Sequence, residues 1–488
     1  MTQKEMQSIL EIGTAISSEK DYNRLLEMIL NRIMELTHAD AGTLYLADGD
    51  LLRFKIMCNN TMHTCEGGDG KEPNLPPVRM SRENVCAMCY LENRTVCIEN
   101  VRTSTEYDFS GPVRYDAMTG YHTQSMLVVP MHNRQGERLG VIQLINAMDA
   151  AGNICAFPAD IIPAVESVAS QAAITIQNVL YIENIKELFE SFVRVMSSAV
   201  DERTPYNASH TRHMVEYGRH FIDYLNETAK AEGREPWFDA EHRHELLMSV
   251  WLHDIGKLVI PLEVMNKEAR LLPEQKSEIL HRFEKMRLLA QIACLKGAIS
   301  GETLEKRLEE LKQAGDTILR ANTAGFCPDD LREEICRIRE KTYMEEDGSE
   351  KPWLEEEEFQ MLMIRKGTLS EKERAVMESH VVITDKLLSE IRFSKELSHV
   401  REWAASHHEL LNGSGYPKHL MAEQIPMEVR IITILDIFDA LVADDRPYKP
   451  GMPVEKALGI LDIMADKEGK LDPELTRLFR KSRCWEKD

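Results

Sequence analysis

The stretch that decides the fold is "WLHDIGKLVIP", Trp251 to Pro261. A histidine and an aspartate stand side by side at the end of an apolar run, Leu246, Leu247, Val250 and Leu252, that has the periodicity of a helix. Burying a charged pair is costly unless it is matched by a partner or a bound cation. Gly256 allows another segment to approach closely. Lys257, one turn further on, can aim a positive charge at a phosphate.

The pair takes its meaning from the chain on either side. His210 opens a helix in "NASHTRHMVEYG", and His380 lies in "LSEKERAVMESHVVITDKLL". His407 and His408 begin "HHELLNGSGYP", and Asp436 lies in the apolar helix "IITILDIFDALVADDRPYK". His210, His253, Asp254, His380, His407, His408 and Asp436 together offer five imidazoles and two carboxylates. A nitrogen and oxygen set without thiolate suits iron, manganese or another first-row cation better than a structural zinc site. Seven ligands are too many for one ion that keeps an open position. They suit two ions bridged by a carboxylate, with Asp254 as the bridge, an arrangement that serves in-line phosphoryl displacement. His281, in "LLPEQKSEILH", mimics His380 but is set aside on its spacing, and His242 and His244 read as surface.

The 488 residues are too many for one core; about two to four domains are expected. A formal net charge of -22 argues against sequence-independent binding to DNA or to an anionic membrane. No apolar run approaches the roughly 18 residues of a membrane span. "MTQKEMQSILEIG" has no basic region followed by an apolar core, so a cytoplasmic protein is expected. Its ten cysteines are then expected to be thiols or metal ligands rather than disulfides.

The first third alternates helix and strand. Residues 3 to 38 read as helix, and "AGTLYLADGDLLRFKIM" reads as a hairpin about Asp-Gly-Asp. "TQSMLVVPMHNRQGERLGVIQLINA" repeats that logic, which predicts an α+β domain, an antiparallel sheet with helices packed at one side. Cys86 and Cys89 form a CxxC, read either as a redox or metal site or as buried structural thiols. A long helix is expected over 158–199, with Val165, Val168, Ala172, Val179, Ile182, Phe189, Val193 and Met196 as the seam of a parallel homodimer. From 200 onward the pattern is almost wholly helical. A charge-rich block over 272–365 reads as an inserted helical hairpin, with "EEEE" at 355–358 as a solvated face.

"HDIGK", "HHE", "GSGYP" and "DIFDAL…RPYK", in that order, resemble the HD-GYP family of bacterial cyclic di-GMP phosphodiesterases, a branch of the HD phosphohydrolases. The resemblance implies an all-α domain over 200–488. It implies metal-ligand roles for the seven residues above and catalytic roles for Asp254 and Lys257. It also implies a substrate wall of Lys257, Gly415, Tyr416, Pro417, Arg446 and Lys449. The implied substrate is cyclic di-GMP, cut to linear pGpG and onward to GMP. A phosphodiesterase for another cyclic dinucleotide such as 3',3'-cGAMP, or a silent module that binds nucleotide or partner proteins, are the competing readings. The chain departs from the family at the insertion, at His213 where arginine is common, and at Asn412 where aspartate is usual. Tyr206 stands where three-metal members carry glutamate, so two divalent ions, iron or manganese, are expected. "SMLVVPMHNRQGERLGVIQLINA" and "VASQAAITIQN" resemble a GAF domain, which implies a sensor over residues 1–157, ligand unknown, joined to the HD-GYP domain by the helix. The cyclic-nucleotide-binding signature of GAF domains is incomplete: Asn146-Ala147, Phe157 and Asp160-Ile161 lack its lysine and glutamate.

Overall fold

The computed structural model describes residues 13–16, 18–19, 21–68, 73–133, 135–203, 209–443 and 451–486. The chain divides into two compact units, one ending at Phe189 and the other beginning at Glu190.

The first unit is built on an antiparallel sheet. Its strands are β1 (Ala39–Asp48), β2 (Leu51–Asn59), β3 (Thr64–Gly67), β4 (Val78–Arg79), β5 (Val96–Ile98), β6 (Met126–His132), β7 (Arg138–Met148) and β8 (Ile154–Cys155). The order is β3-β2-β1-β7-β6-β5, with β4 pairing β2 and β8 pairing β7. The Asp-Gly-Asp hairpin forms: Asp48 pairs with Leu51, and Gly49 takes φ 56°, a left-handed conformation glycine adopts freely. Helix α1 (Tyr22–Thr37) starts where the Asp21 carboxylate accepts from the Arg24 amide, and it buries Leu25, Leu26, Ile29 and Ile33. The other helices of this unit are α2 (Val85–Glu92), α3 (Ser110–Thr119) and α4 (Ile162–Asp201), which runs on past Phe189 into the second unit.

Helices lie on both faces of this sheet, not at one side as the sequence suggested. Leu127 and Val129 of β6 join one core cluster with α1 and α4, while Met126 and Val128 join a second with Val85 and Met88 of α2. Alternate side chains of a strand point to opposite faces. "MLVVPM" is apolar at every position, so both faces need cover.

The same geometry corrects the expected seam. Val165, Val168 and Ala172 are fully buried in the core of the first unit, so the stripe that reads as a dimer contact is there a packing face. The cysteine expectation fails at Cys58 and Cys65. They face each other across β2 and β3 and form a disulfide.

The second unit contains α5 (His210–Ala231), α6 (Ala240–Leu252), a 3₁₀ turn (Ile255–Val259), α7 (Leu262–Met265), α8 (Pro273–Leu295), α9 (Gly301–Thr323), α10 (Asp329–Arg339), the hairpin β9 (Thr342–Met344) and β10 (Glu350–Pro352), α11 (Glu356–Leu362), α12 (Glu371–Glu378), α13 (His380–Leu388), α14 (Val400–Ala404), α15 (Met427–Val442), α16 (Val454–Asp466) and α17 (Pro473–Ser482). One core joins Phe221, Leu225, Val250, Phe438, Leu461 and Phe479. A separate core of Phe283, Leu311, Ile318, Ile335 and Trp353 holds the segment from α8 to α11. That segment is therefore more than a hairpin: four helices and a β-hairpin with an interior of their own.

It leaves and rejoins the domain at one place. The Thr368 hydroxyl donates to the Lys267 carbonyl at 2.9 Å, and the buried Arg270 donates through Nε to the Ile364 carbonyl at 3.0 Å. The acidic run at 355–358 is not wholly solvated. Glu358 is buried, pairs with Arg282 at 2.7 Å and accepts from the Glu355 amide at 2.8 Å, closing the first turn of α11.

Candidate metal centre

Three of the histidines are set by one repeated device. His253 Nδ1 lies 2.7 Å from the Val250 carbonyl, His380 Nδ1 2.7 Å from the Met377 carbonyl and His407 Nδ1 2.7 Å from the Ala404 carbonyl. A carbonyl only accepts, so each Nδ1 carries the proton and each Nε2 presents a lone pair. All three Nε2 atoms are buried and have no hydrogen-bond partner. Buried polar atoms are rarely left so. Three at one place is the mark of a site that takes a cation.

Asp254 stands at their centre. Its Oδ1 is 3.4 Å from His380 Nε2 and 3.8 Å from His407 Nε2. Its Oδ2 is 3.2 Å from His253 Nε2 and 3.9 Å from His210 Nε2, and it accepts from Lys257 Nζ. Asp436 closes the far side, with Oδ1 3.3 Å from His210 Nε2 and Oδ2 3.7 Å from His408 Nδ1. Two groups have ligand atoms within 4.8 Å of one another: His380 with His407 and His408, and His210 with His253 and Asp254. All seven residues singled out in the sequence thus meet at one place, and their nitrogen and oxygen donors are of the kind that holds divalent cations. His281 is exposed on α8.

The electrostatics favour ligation at Asp254, His407 and His408; at His210, against the cost of burial, Asp436 and Asp439 raise the ring to about 10, so a proton must leave it before it can ligate. Burial would raise the Asp254 carboxyl, but His253 and Lys257 beside it hold it well below the usual carboxylate range. Burial together with His408 and His253 pushes His407 well below the ordinary imidazole value. Burial pushes His408 down to about 4, against the pull of Asp436. These rings are neutral near pH 7, the state in which imidazole ligates metal.

Backbone economy brings the pieces together. A Cβ on Gly256 would lie 2.0 Å from the His380 carbonyl oxygen, so only glycine lets the 3₁₀ turn meet α13. The Thr384 hydroxyl accepts from the Gly256 amide at 3.0 Å and donates to the His253 carbonyl at 3.1 Å.

Of the expected substrate wall, Tyr416 stacks on His408, ring centroids 4.8 Å apart, and Gly415 permits the chain to fold back, since a Cβ there would lie 2.3 Å from the Leu410 amide. Pro417 follows Tyr416 in a cis peptide bond. Lys257 is tied to Asp254, which leaves its positive charge beside the centre. Arg446 and Lys449 lie outside the described residues, as does Tyr206.

Glu409 carries a role the sequence reading missed. It is buried, and its two carboxylate oxygens accept from the amides of Lys418 at 2.6 Å and Leu420 at 2.9 Å, clamping the loop that carries Tyr416. A buried acid in "HHE" was the available signal. Asn412 is part of the same loop. Its amide donates to the Glu468 carbonyl at 2.9 Å, and its oxygen accepts from the Ser414 amide at 3.1 Å. The change from aspartate therefore acts on loop anchoring.

A family description given as GAF domain matches residues 21–176, and one given as HD domain matches residues 357–475. The chain carries a GAF domain and an HD domain. The HD match takes in His380, His407, His408 and Asp436; His210, His253 and Asp254 precede it, on the other side of the inserted segment. The chain is similar to the 3'3'-cGAMP-specific phosphodiesterase 3 of Vibrio cholerae serotype O1, at 36% identity over 121 residues, which is 25% of this chain and 25% of that protein. It is also similar to a cyclic di-GMP phosphodiesterase of Thermotoga maritima, at 36% identity over 121 residues, 25% of this chain and 32% of that protein. It thus spans about a quarter to a third of the length of these curated relatives. A crystal structure of the GAF domain from an Acinetobacter phosphoenolpyruvate-protein phosphotransferase is 15% identical with a TM-score of 0.29, covering 38% of this chain and 99% of that one.

Within the GAF domain, Cys86 and Cys89 lie one turn apart on α2, both buried. Burial pushes the Cys86 thiol up to about 12, and Cys89 is raised too. A redox or metal role needs an accessible thiolate, so the structure favours packing over the redox or metal reading. Asn146 is engaged internally: its oxygen accepts from the Gln124 amide at 2.8 Å and its amide donates to the His122 carbonyl at 2.7 Å. No helix among the described residues is long and apolar enough to cross a membrane.

Proposed function

We propose that the C-terminal unit is a metal-dependent phosphodiesterase that hydrolyses cyclic di-GMP to linear pGpG and onward to GMP. The observation that carries this reading is the ring of buried, unpartnered imidazole nitrogens around Asp254. His210, His253, Asp254, His380, His407, His408 and Asp436 would hold two divalent cations, iron or manganese. Such ions supply Lewis acidity to a phosphodiester and lower the pKa of water.

The chain's own groups do the rest. Asp254 keeps its carboxylate charge because the Lys257 ammonium pairs with it. Lys257 neutralises negative charge that builds on phosphate oxygens during displacement. Tyr416 offers a ring to a base, and the Glu409 clamp fixes where that ring stands. The relative specific for 3'3'-cGAMP supports a second reading, the same chemistry on a mixed dinucleotide.

The test is to load the full chain with manganese or iron(II) under reducing conditions, offer each cyclic dinucleotide and follow linear products. Conversion of cyclic di-GMP supports the first reading, conversion of 3',3'-cGAMP alone the second. Tight binding without turnover of either would make it a silent module.

Regulation follows as part of the proposal: the GAF domain gates turnover through α4 in a homodimer. Tyr181, Ile185, Leu188, Phe192 and Val195 are 53%, 65%, 71%, 60% and 64% exposed, and they recur at steps of four and three residues, the stride of a two-stranded coiled coil. Asn184, Ser191 and Ser198 flank this stripe without charge, so two copies of an acidic chain can meet along it.

A further inference from the structure

We propose that Asp439 is a positioning residue of the metal centre, fixing the ring of His210, and that His213 braces Asp439 from behind. The inference rests on the reading of His210 as a ligand. His253, His380 and His407 have their Nδ1 atoms held by main-chain carbonyls. His210, the first residue of α5, is held differently. Its Nδ1 lies 2.6 Å from Asp439 Oδ2.

Asp439 and Asp436 are three residues apart on α15, so both carboxylates project from one face. One grips Nδ1 of His210 and the other faces its Nε2 at 3.3 Å. A carboxylate on Nδ1 holds a proton there and aims Nε2 at Asp254 and Asp436. It also makes the ring a stronger base toward a cation.

Asp439 is 1% exposed, and its second oxygen, Oδ1, has no hydrogen-bond partner among the described residues; Nδ1 of His213 faces it at 3.4 Å, an ion pair when that ring is protonated. His213 lies three residues along α5 from His210, on the same face. Two histidines of one helix thus bracket a single buried carboxylate of another. His213 stands where the family commonly has arginine, so here the brace is an imidazole rather than a fixed charge.

The competing account is a buried aspartate that merely ties α5 to α15. The two accounts differ in what they do to metal affinity. Asp439→Ala, Asp439→Asn and His213→Gln are made in the full chain. Manganese affinity is measured by competition with a chelator, and the melting of each metal-free protein is recorded. The expected result for Asp439→Ala is a loss of manganese affinity of about 10- to 100-fold. Asp439→Asn, which keeps an acceptor oxygen but no charge, is expected to lose less, and His213→Gln least. The metal-free proteins are expected to melt close to the wild type.

Unchanged affinity with a lowered metal-free melting point would overturn the proposal in favour of the tether. If Asp439→Ala does not fold, Asp439→Asn decides: a folded variant with wild-type manganese affinity also overturns it. Wild-type protein that binds no manganese or iron overturns the metal centre itself, a different result from a loaded wild type with unaltered variants.

Discussion

At the scale of the residue, the centre is made by fixing one nitrogen in four of its five imidazoles so that the other faces the site. His253, His380 and His407 use the carbonyl three residues back, which any helix end supplies. This was not legible in the sequence, where a histidine shows its identity but not its tautomer. The joint set of seven was legible, because buried acids and imidazoles in apolar helices need a reason. The protonation of these rings predicts how the metal-free protein responds to acid. His407 and His408 are pushed below the ordinary histidine value of about 6.5, His408 to about 4. Between those values the unfolded chain binds more protons than the folded one, so stability falls as pH drops from about 6.5 toward 4. Melting of metal-free protein across that range should show it, and His408→Asn should make the slope shallower; an equal slope would contradict the assignment. Asn412→Asp removes a donor to the Glu468 carbonyl. It should cost ~1 kcal/mol in unfolding free energy, with metal content unchanged.

At the scale of the element, the loop from Glu409 to Leu420 works as one piece. Glu409→Gln weakens the clamp on Lys418 and Leu420. It should raise KM for the cyclic dinucleotide more than it lowers manganese content; equal loss of both would mean that the loop supports the ligands instead. Gly415→Ala places a methyl against the Leu410 amide and should destabilise the domain by ~3 kcal/mol. The helix pattern of α5, α6 and α15 and the hairpin β1–β2 could be read from periodicity and turn chemistry. The two-faced sheet and the buried Glu358 could not, because each depends on a partner distant in sequence: α2 for the sheet, Arg282 for the glutamate. The first part of the α4 seam, Val165 to Ala172, was misread for a related reason. A stride near 3.5 residues marks a buried stripe, but the sequence does not say whether the cover comes from the same unit or another copy.

At the scale of the whole molecule, the chain carries a GAF domain and an HD domain, with an inserted segment that has its own core and leaves and returns beside Lys267 and Thr368. Replacing residues 272–365 with a short flexible linker should therefore leave metal content intact, and turnover then reports whether the segment restrains or supports catalysis. Loss of the metal would contradict its independence. Ile185→Glu with Leu188→Glu should convert a dimer to a monomer in solution, read by light scattering, and alter turnover; a dimer that survives both would remove α4 as the contact. The central claim is that the seven residues centred on Asp254, itself one of them, hold metal ions for the hydrolysis of a cyclic dinucleotide. Its most direct test compares wild type and His253→Ala, each loaded with manganese, by metal content per chain and by conversion of cyclic di-GMP and 3',3'-cGAMP. The account predicts about two ions and linear product from the wild type, with loss of both in the variant. A variant that keeps its metal and turns over at the wild-type rate would contradict it.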